Sequence, residues 1–470
     1  MRTLDGRVLM IAYYFPPVGG LGAAGSQRMC RLARYLPQHG WQVSVLTARE
    51  SSYEPYLAMD SSLLAKLPPD TTVSRTSVIR GLTPLLQLKG RIAGAIRSSQ
   101  APPDRTGPLQ ASPGEAKSDR GATGGGRYRA LKDAITDLFE IPDEEIGWLL
   151  PAVAAGVRIV RRERIDVLCS SGRPWTAHLI GCALKRLTGR PLVTDFRDPW
   201  MTNPFRLRYS AFRDRVERRL ERMVVRLADL IVANTGYLRE EFASRFPEAA
   251  ANCIEIGNGF DPEDYRGLGD HGRARDAGAR FRLVHSGFLY GERDPKTFLE
   301  AIALLRDGYG VDGRELEVEL VGPVELRYDL AAYVKNHGLD SIVGLPGPVP
   351  YQESLERVAR SDVAILLQPG TRTQVPSKLY EYVGLGKSIL AIAEKEGAVA
   401  DVMSRHGLGD VADARSPAEI ASAVHAMYLR WKATGKPLGA SGRGRDEFDV
   451  TRLAGVLAEH MRRLRSARVP

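Results

Sequence analysis

Short apolar runs alternate with stretches of helical periodicity along the first half of the chain. Val8–Ala12 is an uninterrupted apolar run of the kind that forms a buried parallel strand. From Met29 to Leu36 apolar residues recur at i, i+3, i+4 and i+7, which predicts one buried helix face that Gly40 is placed to end. Further strands are predicted at Trp41–Val45, Asp166–Ser170, Leu192–Asp195, Leu230–Ala233 and Cys253–Ile256.

The second half repeats this organisation from Phe281 onward. Phe281–Ser286 is predicted to be a strand, and Asp294-Pro295 to supply the N-cap and first position of the helix behind it. Further predicted strands are Leu316–Val321, Val363–Leu367 and Ser388–Ile392. Because strands that alternate with helices form parallel sheets with helices on both faces, the sequence predicts an α/β fold. The polar, glycine-rich stretch Asp264–Ala279 is the predicted boundary between two such halves.

One part of the first half has no such pattern. Residues 98–128 are rich in Ser, Pro and Gly, which predicts a flexible surface insertion. Just before it, apolar and basic residues mix between Leu85 and Ile96. Two interpretations stay open for that segment: an ordinary half-buried helix, or a helix that lies on a membrane surface.

Composition is that of an ordinary globular protein with a basic balance. Hydrophobic residues make up 43% of the chain and charged residues 26%, which excludes disorder as the main state. The net charge of +10 favours anionic partners, such as nucleic acid, a membrane surface or phosphorylated small molecules, without choosing among them.

Cysteine usage and hydropathy indicate the compartment. The chain has 4 cysteines, far apart and without a C-x-x-C motif, so neither a disulfide framework nor a zinc site is expected. The beginning of the chain lacks the long apolar region of a signal peptide, and Ile146–Val157 is shorter than the roughly 20 residues that span a bilayer. We therefore expect a cytoplasmic protein, with peripheral attachment to the inner face of the cytoplasmic membrane left open.

A glycine-rich stretch lies between the first strand and the first helix. Gly20–Gly25 fits G-x-G-x-x-G, which on its own suggests a dinucleotide-dependent oxidoreductase, with Glu50 as the ribose-binding acid. In that fingerprint the first glycine follows the strand almost directly, whereas Tyr13–Gly19, with two prolines, intervenes here. An anion at the helix N-terminus and a tight turn without a ligand both remain compatible with these glycines.

Several motifs together resemble the retaining glycosyltransferase family 4. In the first half these are Pro16-Pro17 followed by Gly19-Gly20, then Ser170–Pro174, His178–Gly181 and Asp195–Trp200. In the second half, Gly287–Asp294 resembles the phosphate-contacting loop, and Val375–Tyr382 resembles the start of the donor-binding helix. The first-half motifs look like a bacterial branch associated with envelope or capsular polysaccharides.

The resemblance implies the GT-B architecture, in which two Rossmann-like parallel-sheet domains face each other across a cleft. Residues 1–265 would form the acceptor-binding domain and 280–440 the nucleotide-sugar domain, and a last helix within 441–470 would pack back on the first domain. The implied activity is transfer of a hexosyl or N-acetylhexosaminyl group from a nucleotide-sugar to a glycan or lipid-linked acceptor, without metal or other cofactor. A non-catalytic protein that binds nucleotide-sugar and regulates a partner is the alternative outside catalysis.

Site residues follow from the same resemblance in the second half. Arg293 and Lys378 would be the cations that stabilise charge on the leaving diphosphate. Glu381 would accept hydrogen bonds from the nucleotide ribose. The remaining substrate-binding positions there are Gly287, Pro376 and Ser377. A surface ion pair at i, i+3 is the alternative for Lys378 and Glu381.

In the first half, the charged residues Asp195, Arg197 and Asp198 come at the carboxyl end of a predicted strand, where open α/β sheets bind ligands. Asp195 and Arg197 are predicted to bind substrate and Asp198 to be catalytic. An Arg197–Asp198 structural pair is the other interpretation. His178 would contact the donor sugar as a catalytic residue, or make only a local hydrogen bond. Gly19 and Gly20 complete the predicted substrate-binding set.

Two positions depart from the family pattern. Thr373 stands where the family often has the first of two glutamates, and Phe288 stands where an arginine often follows the loop glycine. Contacts to the transferred sugar are therefore expected to differ from those in most of the family.

The segment from Arg206 to Arg226 contains eight arginines against Asp214, Glu217 and Glu221. A solvated helix face with i, i+4 pairs is one interpretation. A patch that attracts an anionic membrane surface or a lipid-diphosphate acceptor is the other. A nucleic-acid partner is not expected, because no recognised binding module occurs.

Overall fold

The structure is a computed structural model, and it describes residues 4–18, 24–54, 57, 59–79, 140–204, 206–207, 209–266, 268, 279–434, 438 and 444–467. The insertion predicted at 98–128, the Leu85–Ile96 segment and the predicted site residues Gly19 and Gly20 lie outside these residues.

In the described part of the first half, seven parallel strands form one sheet in the order β3-β2-β1-β4-β5-β6-β7. The strands are β1 (Gly6–Ile11), β2 (Trp41–Ala48), β3 (Thr72–Thr76), β4 (Val167–Gly172), β5 (Leu192–Phe196), β6 (Leu230–Ala233) and β7 (Cys253–Glu255). The helices are α1 (Ala24–Tyr35), α2 (Ser62–Ala65), α3 (Leu149–Arg162), α4 (Thr176–Thr188), α5 (Ala211–Leu227) and α6 (Gly236–Arg245). We call this sheet and its helices the first domain.

Six parallel strands form the main sheet of the second domain, as far as its residues are described, in the order β12-β10-β8-β13-β14-β15. They are β8 (Phe281–Ser286), β10 (Leu316–Val321), β12 (Val343–Gly347), β13 (Val363–Gln368), β14 (Ser388–Ala393) and β15 (Gly409–Asp413), and β9 (Leu289–Tyr290) pairs with β11 (Val324–Glu325) beside them. The helices are α7 (Lys296–Tyr309), α8 (Leu330–Asn336), α9 (Tyr351–Ala359), α10 (Ser377–Gly384), α11 (Ala398–His406) and α12 (Pro417–Thr434). The predicted α/β class with two parallel sheets is confirmed.

Local sequence signals set several element ends. Gly40 adopts φ 82°, and its N–H donates to the carbonyls of Leu36 and Pro37, which closes the turn after α1 and lets β2 begin at Trp41. At the start of α7 the prediction is wrong by one residue. Pro295 is the N-cap rather than the first helical residue, and Asp294 Oδ1 accepts from the Lys296 N–H at 2.9 Å.

The last helix, α13 (Val450–Ser466), packs on the first domain. Its buried residues Val450, Ala454 and Leu457 share a hydrophobic core with Met29 and Leu32 of α1. The segment before this helix, around Phe448, lies beside Phe260, in the part of the chain that leaves the first domain for the second. There the Phe260 N–H donates to the carbonyl of Phe448 at 3.0 Å, and the Val450 N–H donates to that of Phe260 at 3.1 Å.

Candidate active site

The carboxyl ends of the two sheets meet each other through direct hydrogen bonds. Thr235, which follows β6, donates from Oγ1 to the carbonyl of Thr373 in the second domain at 2.9 Å. Gln374 donates from Nε2 to Oδ1 of Asp198, which follows β5, at 2.7 Å. Because parallel α/β sheets bind ligands at their carboxyl ends, the region between these edges is the candidate site. The half-buried Asp198, predicted to be catalytic, thus has a partner from the opposite domain.

Asp195 lies within β5, just before this edge, and its carboxylate is hydrogen-bonded by other side chains of the first domain. It is 2% exposed, and its carboxylate accepts from Arg28 Nη2 at 2.8 Å, from Arg28 Nε at 3.1 Å and from Ser171 Oγ at 2.8 Å. Burial alone raises the pKa of Asp195, but the charge and hydrogen bonds of Arg28 outweigh it and hold that pKa below its usual value. In this structure Asp195 ties α1 to β5, and its assignment to substrate binding stays a prediction.

Arg197 packs against the first turn of α1. Its Nε donates to the carbonyl of Gly172 at 2.8 Å and its Nη2 to that of Arg173 at 2.5 Å. A Cβ on Gly25 would lie 1.3 Å from Arg197 Nη1, so a glycine is needed there for the guanidinium to fit. Burial lowers the pKa of Arg197, an effect that the nearby Asp198 opposes. Among the described residues no hydrogen bond or ion pair joins Arg197 to Asp198, which is the alternative considered for this pair. The assignment of Arg197 to substrate binding stays a prediction.

His178 is completely buried. Its Nδ1 lies 2.9 Å from Ser170 Oγ, and its Nε2 has no hydrogen-bond partner among the residues that the structure describes. Nε2 lies directly under the backbone of Gly172, where a Cβ would be 2.7 Å away. Burial lowers the pKa of His178 to about 3, so the ring is neutral at physiological pH. Contact with a sugar would need the Gly172 backbone to move, and the predicted catalytic role of His178 stays a prediction.

The loop after β8 is held tightly against the neighbouring strand ends. The Gly287 N–H donates to the carbonyl of Val321 at 2.9 Å, and Gly322, at φ 137°, approaches Gly287 so closely that a Cβ would lie 2.1 Å from its carbonyl oxygen. The Ser286 N–H donates to the hydroxyl of Tyr382 on α10 at 3.1 Å. These contacts place the backbone of Gly287, a predicted substrate-binding residue, next to α10.

His285 lies in β8 just before this loop, and nearby cations affect the pKa of its ring. Its Nδ1 lies 3.0 Å from the carbonyl of Ile365, and the pKa of the ring is lowered to about 4, mainly by burial and further by Lys378 and Arg293. Both predicted diphosphate-binding cations therefore act electrostatically on this ring, although they come from different elements.

Arg293 extends from the loop after β9 toward the end of β13. Its Nη2 donates to Gln368 Oε1 at 2.9 Å, and its guanidinium carbon lies 5.5 Å from the centre of the Tyr290 ring. These neutral partners hold the guanidinium in place without cancelling its charge.

α10 carries four predicted site residues. Pro376 is its N-cap, Ser377 its first residue, and Lys378 Nζ lies 2.7 Å from Glu381 Oε2. The ion pair considered as the alternative is thus present. The Glu381 side chain is only 7% exposed, and its Oε1 accepts no hydrogen bond from the described residues.

The structure thus brings the predicted residues into two groups. Gly287 and Arg293 lie in the loops after β8 and β9, and Lys378 and Glu381 lie on α10, whose Tyr382 accepts from the Ser286 N–H at the end of β8. Residues 195–198 lie at the end of β5. Sequence analysis missed Arg28, Gln368 and Gln374. Gln374 could have been found, because it adjoins the Pro376 motif, whereas nothing near Arg28 in the sequence indicates its partner.

Neither a metal centre nor a membrane span is found in the ranges that the structure describes. They contain no group of three or more His, Cys, Asp or Glu side chains that could hold a metal ion. The four cysteines are free and buried. No described helix is both long enough and apolar enough to cross a bilayer.

Comparisons with known proteins agree with this architecture. The model of Glycosyltransferase Family 4 matches residues 120–264. Sucrose-phosphate synthase from Thermosynechococcus elongatus is similar over 98% of this chain and 100% of its own, with TM-score 0.63 and 14% identity. Anabaena HepE in complex with UDP is similar over 97% and 99%, with TM-score 0.56 and 16% identity. A glycosyltransferase from Rickettsia africae is similar over the whole of both chains, with TM-score 0.61 and 9% identity.

No curated protein matches the chain in sequence. The structural similarities lie below 25% identity and establish the fold, whereas the family match rests on sequence. The predicted resemblance is confirmed: residues 120–264 match the model of Glycosyltransferase Family 4, and the chain has the GT-B fold of the similar structures.

Proposed function

We propose that this protein is a retaining glycosyltransferase that transfers a hexosyl or N-acetylhexosaminyl group from a nucleotide-sugar to a glycan or lipid-linked acceptor in cell-envelope or exopolysaccharide biosynthesis. The observation that carries the proposal is the placement of two cations at the carboxyl edge of the second sheet. Arg293 donates to Gln368 at the end of β13, and Lys378 lies in the first turn of α10, just after Gln374, which donates to Asp198 of the first domain. HepE, which shares the fold, has been solved with UDP and with UDP-glucose, which supports a uridine diphosphate donor as the first to test.

The charges of the second domain suit departure of a diphosphate. Breaking the bond between sugar and phosphate develops negative charge on the leaving group, and fixed cations stabilise that charge most in the transition state. Arg293 is held by the neutral Gln368, and Lys378 lies in the first turn of α10, where the helix dipole also favours an anion. These groups supply the charge that a divalent metal supplies elsewhere, so we propose that no metal is needed.

Glu381 suits the nucleotide rather than the reacting bond. Its Oε2 is engaged by Lys378, while Oε1 is left to accept from a ribose hydroxyl. On donor binding, Lys378 would turn from Glu381 toward the diphosphate, and the ribose would take its place as a hydrogen-bond donor to the carboxylate.

A panel of nucleotide-sugars tests the proposal directly. A thermal-shift series with UDP-, GDP- and dTDP-sugars should raise the melting temperature for one nucleotide class, because a ligand that binds only the folded state stabilises it. Turnover of that donor should survive EDTA, and NMR of the product should show the donor's anomeric configuration. Loss of turnover in EDTA with recovery in Mg²⁺ or Mn²⁺ would contradict the metal-free mechanism.

A non-catalytic nucleotide-sugar-binding protein is the second candidate. It is favoured by Thr373 and Phe288, which replace a glutamate and an arginine that the family often has near the transferred sugar. Tight donor binding without turnover of any acceptor or of water would support it over the transferase. The oxidoreductase is disfavoured, because the close approach at Gly25 is to the Arg197 side chain.

A further inference from the structure

Helix α5 presents an outer surface that is almost wholly basic. At about 100° per residue, six exposed side chains fall within roughly 120° of its circumference. We call them the α5 outer face: Phe212, Arg215, Arg218, Arg219, Arg222 and Arg226. An arc this narrow points all five guanidinium groups away from the domain core, whose side of the helix carries Val224 and Val225.

Two of the three acids of α5 do not neutralise this face, because they point inward. Glu217 is buried and bonded to Arg213 at 2.7 Å, with Arg206 at 3.2 Å. Glu221 is buried and paired with Arg245 of the neighbouring helix. Of the acids of α5, the half-buried Asp214 alone borders the outer face.

Few carboxylates reach the outer face from elsewhere. Arg218 lies 3.7 Å from Asp214, and Arg226 lies 3.3 Å from Glu248, both as exposed pairs of little strength. Arg215, Arg219 and Arg222 form no ion pair with any residue that the structure describes. The sequence expectation of a face covered by i, i+4 pairs thus holds at Arg218 alone.

Four arginines of the outer face line a groove, and three of them form no ion pair with a described residue. A concavity of about 430 Å³ is bordered by Ala211, Asp214, Arg215, Arg218, Arg219 and Arg222. Guanidinium groups bind phosphate oxygens through paired N–H donors, so a groove with four of them is suited to phosphate groups.

Two exposed apolar side chains adjoin the basic groove. Phe212 is 57% exposed in the first turn of α5, and Leu207, in the loop before it, is 62% exposed. Arginines beside an exposed aromatic and an exposed aliphatic side chain are the combination that binds at the headgroup boundary of a bilayer. A nucleic acid would also supply phosphates for the arginines, but it would not bury the exposed side chain of Leu207 in an apolar environment.

We propose that the α5 outer face docks on an anionic lipid surface, with its arginines on lipid phosphates and with Phe212 and Leu207 at the headgroup boundary. The connection that follows Asp198 is bonded to α5, because Trp200 Nε1 donates to Glu217 and the Met201 N–H donates to Glu221, both at 3.3 Å. Docking through this face therefore brings the cleft of the first domain close to the membrane, where a lipid-linked acceptor would lie.

Vesicle flotation of the full chain tests this docking. We expect binding to vesicles of phosphatidylcholine mixed with phosphatidylglycerol, weakened by salt, and no binding to phosphatidylcholine alone. From the typical contribution of one basic residue near an anionic leaflet, removing three arginines should weaken binding on the order of 100-fold. The test variant is R215Q/R219Q/R222Q, and Phe212→Ser should weaken binding further by several-fold.

Matched controls separate a docking face from overall charge. R314Q/R327Q/R415Q removes the same charge from exposed positions of the second domain, and Leu429→Ser removes an exposed leucine there. Both controls should float like the unmodified protein. Equal binding to neutral and anionic vesicles, or equal loss in both triple variants, would overturn the proposal. So would a test triple that loses oligonucleotide binding but keeps vesicle binding. No arm depends on turnover, so failure here is distinct from failure of the transferase proposal.

Discussion

Replacement of Arg28 by methionine is expected to destabilise the first domain strongly. The Arg28 guanidinium donates five hydrogen bonds, two to the Asp195 carboxylate and three to the segment 256–258. Arg28 is 8% exposed and Asp195 2%, so neither side chain can exchange its partner for water. Removing one member of a buried ion pair typically costs about 3–5 kcal/mol, because the other charge is left uncompensated. We expect Arg28→Met to lose about 4 kcal/mol of unfolding free energy.

The loss should depend on pH in a defined direction. In the unmodified protein the pKa of Asp195 lies below its usual value, so its contribution is full above the unfolded pKa and falls only as pH drops through the folded pKa. Without Arg28, burial raises that pKa, and the carboxylate then destabilises the fold increasingly as pH rises. The difference between Arg28→Met and the unmodified protein should therefore be larger at neutral pH than near pH 4 (the usual aspartate pKa is about 3.9). Adding Asp195→Asn to Arg28→Met should recover part of the unfolding free energy that Arg28→Met loses at neutral pH.

Tryptophan fluorescence during urea unfolding follows mainly the first domain, which contains most of the tryptophans. Of the 5 tryptophans, Trp41, Trp148, Trp175 and Trp200 lie in the first domain and are buried, and Trp431 lies in the second. The control is Arg314→Met, whose exposed pair with Asp312 should leave the midpoint unchanged. An Arg28→Met midpoint equal to that of the unmodified protein, or a loss independent of pH, would refute this reasoning.

Three further predictions follow from contacts at the cleft. Gly25→Ala should displace the Arg197 guanidinium and lower kcat in a transferase assay with little change in melting temperature, and an unchanged kcat would contradict the contact. Lys378→Ala should lower both turnover and melting temperature, because Glu381 is left buried without its partner. The double variant Lys378→Ala/Glu381→Gln should recover the melting temperature but not turnover. Full recovery of both would show that this pair does not belong to the active site. Burial lowers the pKa of His178 to about 3 in the folded protein, whereas the pKa is about 6.5 in the unfolded chain. The buried neutral ring therefore contributes its full share of the unfolding free energy above about pH 6.5, and this share is lost as pH falls toward about 3. The urea midpoint should thus drop from pH 7 to pH 5 less in His178→Gln than in the unmodified protein, and equal drops would show that the ring is not buried in neutral form.

The buried strands of this fold were predictable from the sequence. Leu230–Ala233, Phe281–Ser286 and Leu316–Val321 have the predicted bounds. Leu230–Ala233 is an apolar run buried on both faces, and Leu316–Val321 alternates buried apolar residues with half-buried glutamates, and both patterns are visible in a single sequence. Thr72–Thr76, Val343–Gly347 and Gly409–Asp413 were missed, and each is an edge strand. An edge strand is partly exposed and carries polar residues, so its sequence resembles that of a loop.

The site was predictable only where it repeats a family motif. Arg293, Lys378 and Glu381 lie in such motifs, and the structure places Arg293 at the end of β13 and pairs Lys378 with Glu381 on α10. Arg28 has no such signal, because a polar residue on an amphipathic helix normally indicates solvent. Its partner Asp195 is 167 positions away, and only the sheet order places β5 near α1.

The packing of α13 on the first domain has a consequence for biosynthesis. Val450, Leu457 and Met461 complete the hydrophobic core that Met29 and Leu32 begin, so the first domain cannot close this core until residues 450–461 have left the ribosome. The second domain draws one hydrophobic core from residues 281–431 alone, and that core can form earlier, whereas its other core also takes in Phe260, Tyr265 and Phe448. A nascent chain stalled before Val450 should therefore expose one side of α1 to chaperones, and a fragment ending at residue 265 should aggregate unless the last helix is supplied with it.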